Sequence, residues 1–196
     1  MTLNRISFVP CAIGLVFILL INNTSSSNPF GDADRYLFKS ISNDMQNDFL
    51  DDIVPSVQRM GEPQFYMGVC TLLCAFGDEK MYETGKLAMA TFIEAGFVGY
   101  IMKHIVRSPR PGEENHWDKT SFPSGHAVVA FSLATIVGHQ YPKLRIPVYL
   151  AALATGLCRI YLGRHYPSDI LGGAAIGVLG GIHVIKCQKT VLSLSF

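Results

Sequence analysis

The sequence predicts an all-α fold, a polytopic membrane helical bundle with about six transmembrane helices. Three observations support this fold class: few charged residues, a series of apolar stretches joined by short connections, and a glycine stripe in the last stretch. Only 16% of the 196 residues are charged and 49% are hydrophobic, whereas about 25% of residues are charged in an average soluble domain. The length suits a single domain.

The first element is an apolar segment at the N-terminus. Arg5 precedes the uncharged stretch 6–21, and a polar flank rich in Asn and Ser follows. This order is typical of a signal peptide, although an A-x-A cleavage pattern is missing. The stretch is only a little shorter than the ~20 residues that a membrane helix needs. We therefore predict a first transmembrane helix in residues 1–27, with a signal peptide as the alternative.

Residues 28–63 differ in composition, because aspartates alternate there with apolar residues at helical spacing. The aspartates are Asp32, Asp34, Asp44, Asp48, Asp51 and Asp52. The pattern predicts one or two amphipathic helices lying on a surface, on the extracytoplasmic side. The spacing does not match an EF-hand loop, so we interpret the carboxylates as a solvated face rather than a calcium site.

Residues 64–190 form the predicted core, which contains five further apolar stretches. They span residues 64–77, 87–106, 127–138, 146–161 and 170–185. Several are shorter than ~20 residues, so periodicity alone also allows buried helices of a soluble all-α domain. The stripe Gly173, Gly177 and Gly181 favours a membrane, because small residues let helix backbones approach closely in lipid.

The connections between these stretches alternate in charge. With a cytoplasmic N-terminus, the positive-inside rule is obeyed by a set of cations in the cytoplasmic connections. They are Lys80, Lys86, Lys143, Arg145, Lys186 and Lys189. The opposite face also holds cations, which violate the rule unless some of them have another task. They are Arg107, Arg110, Lys119 and Arg164.

Three short blocks of sequence indicate what that task is. The predicted topology brings all three to the extracytoplasmic ends of their helices. They are residues 103–111 (KHIVRSPRP), 123–126 (PSGH) and 159–169 (RIYLGRHYPSD). Lys103, Arg110 and Arg159 offer cations suited to phosphate oxygens. Ser124 and Gly125 precede an apolar helix, so Ser124 is a candidate N-cap beside backbone N–H groups that bind anions.

Two histidines complete the constellation. His126 and His165 can act as nucleophile and acid near neutral pH. Asp169 follows His165 by four residues, one helical turn away, and can fix its tautomer. The blocks contain no cluster of carboxylates to hold Mg²⁺. The combination predicts phosphoryl transfer without metal or cofactor, and the net charge of +1 gives no general attraction to nucleic acid.

The three blocks resemble the K-x6-RP, PSGH and SR-x5-H-x3-D motifs of the type 2 phosphatidic acid phosphatase (PAP2) superfamily. The resemblance covers residues 64–185 and matches ten of eleven motif positions. It implies that His165 is the nucleophile, that Asp169 orients it, and that His126 protonates the leaving oxygen and then activates water. The residues that it implies for binding the phosphate oxygens are Lys103, Arg110, Ser124, Gly125 and Arg159.

One motif position departs from the family. Cys158 stands where the family usually has Ser, and a thiol is the weaker donor, so we expect a modest loss of phosphate affinity. The five cysteines are interpreted as apolar packing residues. Glu94 lies within an apolar stretch, which indicates either a function or a helix–helix hydrogen bond. The loop 112–122, with Trp117, is a candidate lid or an interfacial loop.

The resemblance implies a phosphatase acting on a membrane lipid in the cytoplasmic membrane of a bacterium, with its site facing the periplasm. Undecaprenyl diphosphate, phosphatidic acid, phosphatidylglycerophosphate and a lipid A phosphate are candidate substrates. The alternatives are a secreted soluble acid phosphatase of the same superfamily and a non-catalytic protein that binds polyprenyl phosphate. The sequence does not define the oligomeric state.

Overall fold

The computed structural model describes residues 29–112 and 120–194. In these residues the chain is α-helical, and the only extended pairing is an isolated bridge between Pro109 and Thr120. The helices are α1 (Pro29–Lys39), α2 (Asp48–Met60), α3 (Pro63–Phe76), α4 (Glu79–Val106), α5 (Gly125–Gln140), α6 (Arg145–Tyr161), α7 (Pro167–Lys186) and α8 (Gln188–Ser193). A π-helical turn (Ser40–Asp44) follows α1, and a 3₁₀ turn (Pro142–Leu144) precedes α6.

Each of the five predicted apolar stretches lies in a helix, α3 to α7, and the predicted amphipathic region contains α1 and α2. Local chemistry explains several boundaries. Asp78 caps α4 by accepting a hydrogen bond from the Met81 N–H (2.8 Å). Arg107, at φ 47°, ends α4 in the left-handed conformation that often terminates helices. The predicted first helix, in residues 1–27, lies outside the described residues.

Helix α5 is the centre of the bundle, and α7 packs most closely against it. A Cβ atom added at Gly177 would lie 2.4 Å from the Val128 carbonyl oxygen, and one added at Gly173 would lie 2.6 Å from that of Ser124. The glycine stripe thus allows two backbones to meet almost in contact, as predicted. This approach brings the first turn of α7 beside the start of α5.

Many large apolar side chains lie on the outside of this bundle, and many of the buried positions are small or polar. Along α6 the exposed residues recur every three or four positions, as Ile146, Leu150, Leu153 and Leu157. Along α4 they are Ile93, Phe97, Tyr100, Ile101 and Ile105. Buried positions include Thr91, Ser132, Thr135, Thr155 and several glycines and alanines. A continuous apolar exterior of this extent indicates contact with lipid.

The predicted count of six crossings is not shown by helix length and composition. Among the described residues, two helical segments are long and apolar enough to cross a membrane, Pro142–Tyr161 and Pro167–Lys186. Helix α5 has 16 residues, which extend only about 24 Å against ~30 Å of hydrocarbon. Helix α3 is shorter, and the 28-residue α4 carries several charges, including Glu79, Lys80 and Glu83.

Glu94 on α4 has a partner on α7. Its Oε1 lies 2.8 Å from His183 Nδ1, and both side chains are partly exposed. Of the two interpretations given above, this contact favours a helix–helix hydrogen bond.

Candidate active site

The three sequence blocks meet at one end of the bundle, where α4 and α6 end and α5 and α7 begin. The Ser124 N–H donates to the Asp169 carbonyl oxygen (3.0 Å), which joins the start of α5 to the first turn of α7. The Ser121 N–H donates to the Ser108 carbonyl oxygen (2.8 Å), which holds the chain before α5 against the chain after α4. Residues from separate parts of the sequence therefore share one site, as predicted.

His165 lies in the connection between α6 and α7, which differs from the prediction that it shares a helical face with Asp169. Pro167 occupies the first turn of α7, and Tyr166 before it is extended (φ −80°, ψ 157°). Proline suits the first helical position and disfavours a helical residue before it. His165 therefore precedes the helix, and the residue is 2% exposed.

Ser121 is a member of the site that sequence reasoning missed. Its hydroxyl donates to Asp169 Oδ2 (2.5 Å) and lies 3.3 Å from His165 Nδ1, and the residue is fully buried. Asp169 Oδ2 also accepts from the Tyr166 N–H (2.7 Å), whereas its distance to His165 Nδ1 is 3.5 Å. The carboxylate thus acts on His165 partly through Ser121. Proximity to the PSGH block was the only sequence signal for this serine.

The environment of His165 favours its neutral form. Burial lowers the pKa of the imidazole below its ordinary value of 6.5, and the positive charges of Arg159 and Lys103 act in the same direction. The hydrogen bond and negative charge of Asp169 oppose this shift. A neutral imidazole whose Nδ1 faces Ser121 and Asp169 keeps Nε2 as a free nucleophile.

The cations predicted to bind phosphate lie near the two histidines. Lys103 Nζ donates to the carbonyl oxygens of Thr120 (3.2 Å) and Ser121 (3.5 Å). Lys103, Arg110 and Arg159 are close enough to His126 to interact with it electrostatically. Lys103 and Arg159 also interact in this way with His165.

Buried polar atoms without a hydrogen-bond partner concentrate at this site. In the described residues there are five such side-chain atoms, and four belong to the predicted set: Arg110 Nε, Ser124 Oγ, His126 Nε2 and Arg159 Nε. Buried polar groups are almost always paired, so a local concentration of unpaired ones needs an explanation. An anion with several oxygens would satisfy these groups together.

Two predicted details can be compared with this geometry. Ser124 occupies the N-cap position of α5, but its hydroxyl makes no capping bond, which leaves it available to a ligand. Cys158, beside Arg159, packs in an apolar cluster with Val54 and Tyr161. Its effect on phosphate affinity stays a prediction. Trp117 lies outside the described residues.

Together, the fold and the site define a helical bundle with cations and two histidines at one end. The chain belongs to the PAP2 superfamily, whose sequence profile matches residues 84–192, more than half of its length. The family resemblance predicted from the three blocks is thereby confirmed.

Two bacterial proteins are similar in sequence to parts of this chain. Lipid A 1-phosphatase of Porphyromonas gingivalis is 43% identical over 65 residues, covering 31% of this chain and 15% of that protein. Undecaprenyl-diphosphatase BcrC of Bacillus subtilis is 26% identical over 123 residues, covering 59% of this chain and 64% of that protein. The chain therefore spans less than two thirds of the length of these relatives.

A solved structure has the same fold. The crystal structure of a transmembrane PAP2 type phosphatidylglycerolphosphate phosphatase from Bacillus subtilis superposes with a TM-score of 0.75 at 23% identity. The match covers 96% of this chain and 100% of that chain. The all-α PAP2 architecture is thus shown for the described part of the chain.

Proposed function

We propose that this chain is a membrane-embedded lipid phosphatase that transfers the phosphoryl group of its substrate to His165 and then to water. The observation that carries the proposal is the group of unpartnered buried atoms on Arg110, Ser124, His126 and Arg159, close to a buried histidine. A phosphate offers three oxygens and negative charge to this set, as guanidinium and hydroxyl donors require.

In the first step His165 Nε2 attacks phosphorus, and the bond between phosphorus and the leaving oxygen breaks. Ser121 and Asp169 hold Nδ1, so they orient the ring and stabilise the positive charge that develops on it. His126, protonated when the negative charge of the bound phosphate offsets the surrounding cations, gives its proton to the leaving oxygen. Lys103, Arg110, Arg159, the Ser124 hydroxyl and the N–H of Gly125 bind the equatorial oxygens, where charge is greatest in the transition state.

In the second step water attacks the phosphohistidine. His126, now neutral, takes a proton from that water, and the bond between phosphorus and His165 breaks to release inorganic phosphate. Each histidine returns to its starting protonation state. The sequence-based roles of these residues, and the absence of a metal requirement, stay predictions until variants are assayed.

The membrane location is supported by the apolar exterior of α4 and α6 and by the two helical segments long enough to span. We propose the cytoplasmic membrane of a bacterium, with the site on the extracytoplasmic face and about six crossings. Lys80 lies over the ring of Tyr141 (4.6 Å), so the α3–α4 and α5–α6 connections share one end of the bundle, opposite the site. Basic residues at that end favour a cytoplasmic position.

The substrate class follows from a phosphate site at the end of a lipid-facing bundle. The similar proteins are named for lipid A, undecaprenyl diphosphate and phosphatidylglycerolphosphate, and phosphatidic acid has the same terminal phosphate. We propose a phosphomonoester or diphosphate of a membrane lipid.

The proposal is tested by phosphate release from these four lipids and from p-nitrophenyl phosphate in detergent with EDTA. The wild-type chain should hydrolyse at least one lipid, and vanadate should inhibit by resembling the pentacoordinate transition state. His165→Ala should be inactive on every substrate. His126→Ala should lose about 10²–10⁴-fold on the lipid but less on p-nitrophenyl phosphate, whose leaving group needs little protonation.

His104→Ala is the matched control, because His104 is exposed on α4 near the same end. Among the described residues, its ring hydrogen-bonds within its own helix, to the Tyr100 carbonyl oxygen. It should keep wild-type activity. Phosphohistidine trapped in His126→Ala and absent from His165→Ala supports the roles. The reverse pattern, or activity that requires Mg²⁺, contradicts them.

A further inference from the structure

Helices α1 and α2 form a collar, residues 29–60, beside the site end of the bundle. Each helix is bonded to the end of one of the two segments long enough to cross a membrane. On α1, Asp34 accepts hydrogen bonds from Ser168 N–H (2.8 Å) and Oγ–H (2.7 Å), in the segment Pro167–Lys186. The collar therefore lies level with the N-terminal end of that segment.

The second attachment is equivalent. Tyr161, the last residue of Pro142–Tyr161, donates its hydroxyl hydrogen to Asp51 of α2 (2.6 Å) and accepts from the Asn47 N–H (3.4 Å). Both attachments are thus at the same boundary, and the loop carrying His165 lies between them. The collar is placed at the level of the lipid head groups if these segments span.

Helix α1 has three different sides. At about 100° per residue, Asp34 and Phe38 share the side that faces the bundle, where Phe38 packs on Tyr166 (ring centroids 5.1 Å apart). One flank is charged and exposed, with Asp32, Arg35 and Lys39. The other flank is apolar yet exposed, with Tyr36 at 72% and Leu37 at 47%.

Helix α2 repeats this division. Val54, with Leu50 and Val57, packs against the bundle in one apolar cluster. A polar flank carries Asp48, Asp52 and Arg59, all exposed. An apolar flank carries Phe49 at 70% exposure and Ile53 at 40%. A helix that packs on one side needs no second apolar side in water, so both apolar flanks indicate another apolar environment.

We propose that the apolar flanks of the collar dock on the surface of the lipid bilayer, with Tyr36, Leu37, Phe49 and Ile53 inserted at the boundary between head groups and acyl chains. An amphipathic helix at this depth buries its apolar flank in lipid and leaves its charged flank in water. The aspartates on the polar flanks then face water, away from the lipid phosphates that they would repel. The collar thereby ties the bilayer surface to both ends of the loop that carries His165.

This inference rests on the proposed membrane location but not on the phosphatase chemistry, and its test uses no activity. The full chain with Trp117→Phe receives one new tryptophan, by Tyr36→Trp or Phe49→Trp on the apolar flanks. Asp32→Trp and Asp52→Trp are the matched controls on the polar flanks. Each protein is reconstituted in vesicles of phosphatidylcholine and phosphatidylglycerol, and lipid brominated on its acyl chains and acrylamide serve as lipid and aqueous quenchers.

The indole at position 36 or 49 should show blue-shifted emission, a loss of emission with brominated lipid, and weak quenching by acrylamide. The controls should show the opposite preference. Quenching by acrylamide alone at 36 and 49 would overturn the proposal, and so would protection from both quenchers, as burial under residues 1–28 would produce. Protein that alkaline washing removes from the vesicles would instead refute the membrane location itself.

Discussion

At the scale of single residues, one oxygen of Asp169 serves several neighbours. Oδ2 accepts from the Ser121 hydroxyl (2.5 Å) and the Tyr166 N–H (2.7 Å), and lies 3.5 Å from His165 Nδ1. The Tyr166 bond closes the first turn of α7, so the same carboxylate that acts on the nucleophile also starts the helix. Fold and proposed chemistry therefore depend on the same side chain.

Ser121→Ala should reduce kcat for a lipid phosphate about 10- to 100-fold, because the His165 imidazole would be less well positioned and a misplaced reacting group lowers the rate by factors of that order. KM should change little, since the hydroxyl contacts His165 and Asp169 rather than the predicted phosphate ligands. Ser121→Cys should recover part of the loss. Steady-state kinetics and the rate of phosphohistidine formation measure both effects.

Ser132→Ala is the matched control for Ser121→Ala. It also removes a buried hydroxyl, but Ser132 Oγ has no hydrogen-bond partner in the described structure. Its kcat should equal that of the wild type. An equal fall in both variants would show that the loss is one of packing and not of positioning.

The pH dependence of activity should report the pKa of His165. The reactive form is neutral, so kcat/KM falls as pH decreases through that pKa. Asp169 raises the pKa of His165 against the lowering caused by burial. Asp169→Asn should therefore move the acid limb to lower pH, while the rate on its plateau falls by up to about 10⁴-fold, as in a Ser–His–Asp triad.

The profile should be measured with p-nitrophenyl phosphate, whose leaving group makes the rate less dependent on His126. Asp48→Asn, on the exposed polar flank of α2, controls for a general change in charge and should keep the wild-type profile. A shift of the Asp169→Asn acid limb to higher pH would contradict the assigned interaction.

At the scale of elements, the contact between α5 and α7 decides where the site forms. A Cβ atom at Gly177 would come within 2.4 Å of the Val128 carbonyl oxygen and 2.8 Å of the Ser132 nitrogen. Both obstacles are backbone atoms, which cannot rotate away as a flexible side chain can. The two helices must separate to accept any side chain there.

Gly177→Ala should destabilise the protein by about 1–3 kcal/mol, the usual cost of overpacking, and lower the midpoint of thermal inactivation in detergent. Gly96→Ala is the matched control, because a Cβ at this α4 glycine would meet no atom of the described residues within 4 Å. That variant should be unchanged or gain up to about 1 kcal/mol from helix propensity. Equal midpoints for both variants would refute the close-packing account.

At the scale of the whole molecule, cations gather at both ends of the bundle. The end with the site gathers Lys103, Arg110 and Arg159, which the proposed function assigns to phosphate. The other end includes Lys80, beside Tyr141, and Lys86, which donates to carbonyl oxygens of Leu192 and Leu194 near the C-terminus. The positive-inside rule is applied to the second set, because the proposed function already assigns the first set to phosphate binding.

The proposed orientation predicts which end an impermeant reagent reaches. Trp117→Cys, in the loop between the first two blocks, should react with a charged maleimide in intact cells. Lys143→Cys, exposed at the opposite end, should react only after lysis. The unsubstituted chain gives the background from its native cysteines. Labelling of Lys143→Cys but not Trp117→Cys in intact cells would show an inverted orientation.

Much of this architecture follows from the sequence. The apolar stretches predicted all five core helices, because helix formation there depends on local composition and on boundaries such as Asp78. The spacing inside the three blocks predicted eight candidate site residues, and the structure brings them to one end. Composition was less reliable for the crossings, since α5 is too short for the simple criterion of length and hydropathy, and α4, although longer, does not meet it.

What the sequence determined by itself was therefore local or periodic: helices, the glycine stripe and the chemistry of the three blocks. Only the tertiary structure decided the placement of Ser121, because its partner Asp169 is 48 residues away and they meet through the packing of α5 on α7. It also placed His165 ahead of α7 and bonded the collar to Tyr161 and Ser168. Such contacts depend on distances between remote backbones, which no local pattern of residues encodes.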